Sequence, residues 1–118
     1  MPNSWPSFRS ALLIGTLLQL VMVVFGHFQA EVAQLFGPAG VFISLVAGVL
    51  LTLRSPRRPI GTSLLGGALV GGLSALIGII VSWALADVPA LILLVGTVSS
   101  AITGALGGFL GRLATAQD

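Results

Sequence analysis

The chain has 118 residues, of which 56% are hydrophobic and only 7% are charged. Soluble domains carry about a quarter charged residues, so this composition excludes an ordinary water-soluble fold and predicts an all-α integral membrane protein. The absence of cysteine excludes disulfides and thiolate metal sites. A net charge of only +2 gives no basic face for nucleic acid, so we expect no such partner.

Four apolar segments predict four transmembrane helices, packed up and down as an antiparallel bundle in a single domain, 1–118. A helix needs about 20 residues to cross a hydrocarbon layer of about 30 Å. The second segment is short; it either begins earlier, near Val32, with a kink at Pro38, or follows an interfacial turn over 31–36. The predicted helices are residues 8–28, 38–53, 60–86 and 89–113.

The first segment resembles a signal peptide, because Arg9 precedes an apolar run. Its one plausible cleavage site, after Ala30, has Phe28 where a small residue is required. We therefore expect a retained helix. Near its centre lies Gln19, whose amide is costly to leave unpaired in lipid. This predicts either a hydrogen bond to a neighbouring helix or contact with a polar solute.

His27 and Glu31 follow at a spacing of four, which would place them on one face of a continuing helix. Such a pair suits metal binding or proton transfer, but two ligands are too few for a closed metal site. The simpler interpretation is that both residues mark the interface at the end of the helix. We expect no bound metal and no cofactor.

Arginine placement predicts the topology. Four spans would put all five arginines on one side of the membrane, as the positive-inside rule requires for the cytoplasmic face. The loop over 54–59 is the most basic, with Arg54, Arg57 and Arg58, and it could also bind anionic lipid headgroups. We expect both termini in the cytoplasm and, as location, a bacterial inner membrane.

Small residues dominate the third and fourth segments. Gly67 and Gly71 form a GxxxG pair on the third. Residues four apart share a helix face, so the fourth carries two adjacent rows of small residues. The first glycine row is Gly96, Ser100, Gly104 and Gly108; the second glycine row is Ser99, Thr103, Gly107 and Gly111.

Small faces let helices approach closely in lipid, so these two segments are predicted to pack as a tight hairpin. A phosphate-binding loop is the competing interpretation of the glycines, but the Lys and Ser/Thr that would follow are absent. One hairpin does not use every small face. We therefore expect a homo-oligomer or a complex with other membrane subunits, besides the lipid bilayer itself.

No serine has a plausible base and orienting acid, so an enzyme is not expected. Two functions remain open. The first is a structural or accessory membrane subunit, assembling through its glycine-rich faces. The alternative is a small oligomeric channel or transporter for a neutral or weakly polar solute, lined by hydroxyl groups and Gln19.

Overall fold

In the computed structural model, residues 5–29, 36–54 and 59–115 are described, and they form four α-helices and no strand. These are α1 (Trp5–Phe28), α2 (Phe36–Arg54), α3 (Ile60–Ala84) and α4 (Leu91–Thr115). The prediction of an all-helical protein is confirmed for this part of the chain. By length and composition, α1, α3 and α4 could each cross a membrane, whereas the apolar stretch of α2, Pro38–Leu53, is shorter.

Consecutive helices run in opposite directions. Ser63, near the start of α3, lies against Gly108 near the end of α4, while Ile79 lies against Gly96. The two helices are therefore antiparallel. The contacts that establish the same relation for α1 and α2 are Gly15 with Ala47 and Gln19 with Gly40.

The bundle has small residues inside and large apolar residues outside. Its buried core cluster consists of Ala11, Ala47, Leu51 and Val70, and α1 and α4 each pack against both α2 and α3. A water-soluble bundle would bury its leucines, whereas membrane helices approach through small residues and present large ones to lipid. Among the exposed side chains are Leu13, Leu17, Phe42, Leu91, Leu94 and Ile102.

The connection between α3 and α4 is fixed by a Schellman motif. Ala86 has φ 63°, the backbone N–H of Ala86 donates to the carbonyl of Trp83, and that of Asp87 donates to the carbonyl of Ser82, both at 2.9 Å. The left-handed residue stops α3 at Ala84, two residues before its predicted end. At the other side of the turn, α4 begins at Leu91 rather than at the predicted Pro89.

The bundle has two different ends. Arg9 lies near the start of α1, Arg112 in the last turn of α4, and α2 finishes at Arg54. The helix directions put these three positions at one end, the arginine end. His27 and Asp87 lie at the opposite end, which we call the His27–Asp87 end.

Candidate functional site: glycine packing and a cavity between the helices

The first glycine row faces α3. A Cβ on Gly67 would overlap the carbonyl oxygen of Gly104, and one on Gly104 would overlap that of Gly67. A Cβ on Gly71 would lie 2.7 Å from the carbonyl oxygen of Ser100. Backbone therefore touches backbone along this face, which only glycine permits. At the ends of the row, Gly108 meets the Ser63 carbonyl and Gly96 meets the side chain of Ile79.

The glycines of the second row face α2, a contact that the sequence did not indicate. A Cβ on Gly107 would overlap the carbonyl oxygen of Leu45, and one on Gly111 would overlap Thr52 Oγ1. The remaining members are less covered: Ser99 is exposed and Thr103 is half-buried, with Thr103 Oγ1 donating to the Ser99 carbonyl at 2.8 Å.

Gln19 is buried where three helices meet, with 3% of its surface exposed. Its Nε2 donates to the backbone carbonyl of Gly40 at 3.2 Å and to Ser44 Oγ at 3.5 Å. Both partners belong to α2. On the other side, Gly78 of α3 leaves space for the Gln19 stem, since a Cβ there would lie 2.9 Å from Gln19 Cβ.

A short polar chain continues from Gln19 to α3. Ser44 Oγ donates to the carbonyl of Gly71 at 3.3 Å, and Ser74 Oγ donates to the same carbonyl at 3.2 Å. Hydrogen bonds of this kind contribute about 0.6 kcal/mol each between membrane helices. Gln19 thus joins α1 to α2, and Ser44 joins α2 to α3.

A cavity of about 380 Å³ lies between the four helices, in the half of the bundle that runs from Gln19 to the His27–Asp87 end. Its volume lies at the small end of the range of ligand pockets, about 300–1,000 Å³. Most of the wall is apolar. Among the described residues, its polar side chains are Gln19, Ser82, Asp87, Ser99 and Ser100, from three helices and the α3–α4 connection.

Ser82 differs from the other buried polar residues of the wall. It is 2% exposed, and its hydroxyl oxygen makes no hydrogen bond within the described parts of the chain. Thr16, Ser63 and Thr97 also have unpaired hydroxyl oxygens, but none of the three lines the cavity. A buried polar group without a partner is uncommon and calls for an explanation.

At the mouth of the cavity, His27 Nδ1 lies 2.9 Å from Asp87 Oδ2. The contact joins the end of α1 to the α3–α4 connection, where the Schellman motif holds Asp87. The predicted pairing of His27 with Glu31 lies outside the described residues, because Glu31 is not among them. Within the described ranges, no three side chains of the metal-binding types come together.

The arginines that the sequence predicts as a contact for lipid headgroups are only partly placed. Arg54 is the last residue of α2, while Arg57 and Arg58 lie outside the described residues. Sequence reasoning missed the His27–Asp87 contact, since the two residues are 60 positions apart. The available signal was their predicted position on the same side of the membrane.

Comparison of the chain with known protein families, curated proteins and solved structures finds no match in any of the three. Residue roles therefore follow from composition and geometry alone.

Proposed function

We propose that all four helices cross the membrane, with both ends of the chain on the cytoplasmic side of a bacterial inner membrane. With 19 residues, α2 is about 28 Å long, close to the hydrocarbon thickness of about 30 Å. It also packs between the three longer helices. The shared position of Arg9, Arg54 and Arg112 supports the orientation through the positive-inside rule.

Within this bundle, the proposed function is to bind a small, neutral, weakly polar solute and to pass it across the membrane. The observation that carries the proposal is the cavity, which extends from Asp87 at one end to the buried amide of Gln19. A polar group at membrane depth is costly and is a marker of a substrate pathway. Between Gln19 and the arginine end, the glycine contacts of α3 and α4 close the bundle. The solute can therefore cross only if these contacts open.

The side chains of the wall define the class of solute. Among the described residues, Asp87 is the one charged residue that lines the cavity, and it lies in the connection rather than within a helix. A solute at membrane depth therefore meets hydroxyl groups, one amide and hydrocarbon. Such a wall suits an uncharged molecule, because an ion would lose its hydration without gaining a counter-charge.

Solute flux tests this proposal. Purified protein in lipid vesicles should accelerate the entry of small uncharged solutes such as glycerol and urea, measured by stopped-flow light scattering. Gln19→Leu should lower this flux, whereas Thr16→Val, one turn away on the same helix and outside the cavity, should leave it unchanged. Flux no faster than in protein-free vesicles, or equal in Gln19→Leu, would contradict the proposal.

The second candidate is a structural or accessory subunit that assembles as a homo-oligomer or with other membrane proteins. One observation favours it: Ser99 of the second glycine row, which also lines the cavity, is exposed and leaves a small residue uncovered on α4. Small faces of this kind are used for contacts between membrane helices.

Subunit counting tests the homo-oligomeric form of the second candidate, while the flux measurement above tests the first. Since the chain has no cysteine, a single Gly61→Cys variant can carry one dye at an open position. If Ser99 is an assembly face, single-molecule photobleaching in bilayers should give several steps, and Ser99→Leu should reduce them to one. Val98→Leu, at the adjacent exposed position, is the control. One step in the unmodified sequence would eliminate homo-oligomer formation.

A further inference from the structure

Two polar atoms of the cavity wall have no partner within the described chain and define a ligand by their chemistry. The first is the hydroxyl oxygen of Ser82, buried and without a hydrogen bond. The second is Oε1 of Gln19, because both hydrogen bonds of this amide use Nε2. Glycine flanks that oxygen on two sides: it lies 3.6 Å from a Cβ position on Gly40 and 3.7 Å from one on Gly78.

The two atoms lie along one face of the bundle interior. Gly78, which packs against Gln19, and Ser82 are four residues apart on α3, so they share a face at a separation of about 6 Å along the axis. Ser82 offers a donor and an acceptor, and Gln19 Oε1 offers an acceptor. A ligand that satisfies them must carry a group that both donates and accepts, which is the property of a hydroxyl.

Hydrocarbon forms the rest of the wall. Val23 of α1, Ile79 of α3 and Ile92 and Val95 of α4 line the cavity, and these side chains favour an aliphatic body. The volume of about 380 Å³ favours a small molecule over a two-chain phospholipid. The carboxylate at the mouth, Asp87, is already engaged by His27.

We propose that this cavity is a binding site for a small aliphatic alcohol, whose hydroxyl hydrogen-bonds to Ser82 and Gln19 and whose chain lies along α3 and α4. The inference rests on the proposed function, because it names the class of solute for the same cavity. A free alcohol and the glycerol end of a single-chain neutral lipid share this chemistry.

Photolabelling of the purified protein in lipid nanodiscs tests the site, with octanol carrying a diazirine as the probe and peptide mapping as the readout. Labels should map to Ile79 or Ile92, which are only partly exposed, and decrease in the presence of excess octanol. Ser82→Ala should reduce labelling about fivefold, the effect of one lost neutral hydrogen bond. Ser63→Ala is the matched control, since it removes an equally buried, unpaired hydroxyl from the other end of α3.

Two further arms complete the test. An alkane diazirine of the same length, which lacks the hydroxyl, should label these positions weakly. Competition by monooctanoylglycerol at lower concentration than octanol would identify the lipid source, and the reverse order would identify the free alcohol. Equal labelling in Ser82→Ala and the unmodified protein, or labels confined to lipid-facing residues such as Leu17 and Leu94, would overturn the inference.

The outcome is separable from that of the proposed function. Labelling that depends on Ser82, without solute flux, would retain the binding site and remove transport. Flux that depends on Gln19, without specific labelling, would retain transport and remove the alcohol as its solute.

Discussion

Gly67 on α3 and Gly104 on α4 face each other so closely that the carbonyl of each occupies the space that a Cβ on the other would need. The relation is reciprocal, so no side chain at either position could be accommodated by rotating a neighbour. In lipid, where burial of apolar surface gives no drive for helices to associate, such backbone proximity increases the van der Waals contact that holds helices together.

Gly104→Ala should therefore strongly destabilise the bundle. The added methyl group must displace backbone rather than a flexible side chain, and overpacking of this kind costs about 1–3 kcal/mol or more. Gly61→Ala is the control, because no atom of the described residues lies within 4 Å of its Cβ position. The free energy of unfolding in mixed micelles, followed by circular dichroism, measures both. Equal stability of the two variants would argue against the close contact.

The Gln19–Ser44 interaction should be detectable as a coupling energy. Gln19→Leu and Ser44→Ala, alone and together, should give a coupling of about 0.6 kcal/mol in a double-mutant cycle, as is common for hydrogen bonds between membrane helices. Thr16→Val with Ser44→Ala should give a coupling near zero, because Thr16 Oγ1 has no hydrogen-bond partner among the residues that the structure describes. Purely additive effects of Gln19→Leu and Ser44→Ala on the free energy of unfolding would contradict a hydrogen bond between the two side chains.

Ala86→Gly should stabilise the protein by about 1 kcal/mol. Ala86 holds a left-handed conformation with φ 63°, which a residue with a Cβ adopts at a cost of about 1–2 kcal/mol, and glycine adopts it freely. Ala90→Gly in the same connection should have the opposite sign, since it only adds freedom to the unfolded chain. Thermal unfolding of the two variants gives the comparison; a destabilised Ala86→Gly variant would refute the assigned turn.

The His27–Asp87 contact should contribute modestly and in a salt-dependent way. Both side chains are partly exposed, 35% for His27 and 23% for Asp87, and exposed pairs contribute about 0.2–1 kcal/mol. In buffer acidic enough to protonate the His27 imidazole, a double-mutant cycle with His27→Ala and Asp87→Ala should find such a coupling at low salt and a smaller one at about 1 M salt. In the control cycle, Gln29→Ala replaces His27→Ala. An equal coupling energy in that cycle would contradict a specific contact between His27 and Asp87.

The all-helical architecture was accessible from sequence because long apolar runs bounded by proline and arginine leave few alternatives. The ends of α3 and α4 were less predictable. Ala86 stops α3 by adopting a conformation that usually requires glycine, and an alanine after an apolar run resembles one more helical residue.

Contacts between distant helices could not be derived from one-dimensional periodicity. The spacing of Gly107 and Gly111 predicts a small face, but not that α2 covers it through Leu45 and Thr52. Similarly, the cost of burying Gln19 predicts a partner without identifying Gly40 and Ser44. Which helix meets which face depends on how all four pack together.

A disulfide between α3 and α4 tests most directly whether the glycine-rich faces meet within one chain. A Cβ on Gly72 would lie 3.1 Å from Cβ of Ala101, near the separation of about 3.5–4.5 Å in a disulfide, and the chain has no other cysteine. Mild oxidation of Gly72→Cys/Ala101→Cys in membranes should give one product with the mass of a single chain. Co-expressed single variants should give no heterodimer. A product of doubled mass, or a heterodimer of the single variants, would show that these faces join different chains and would contradict the single-chain bundle.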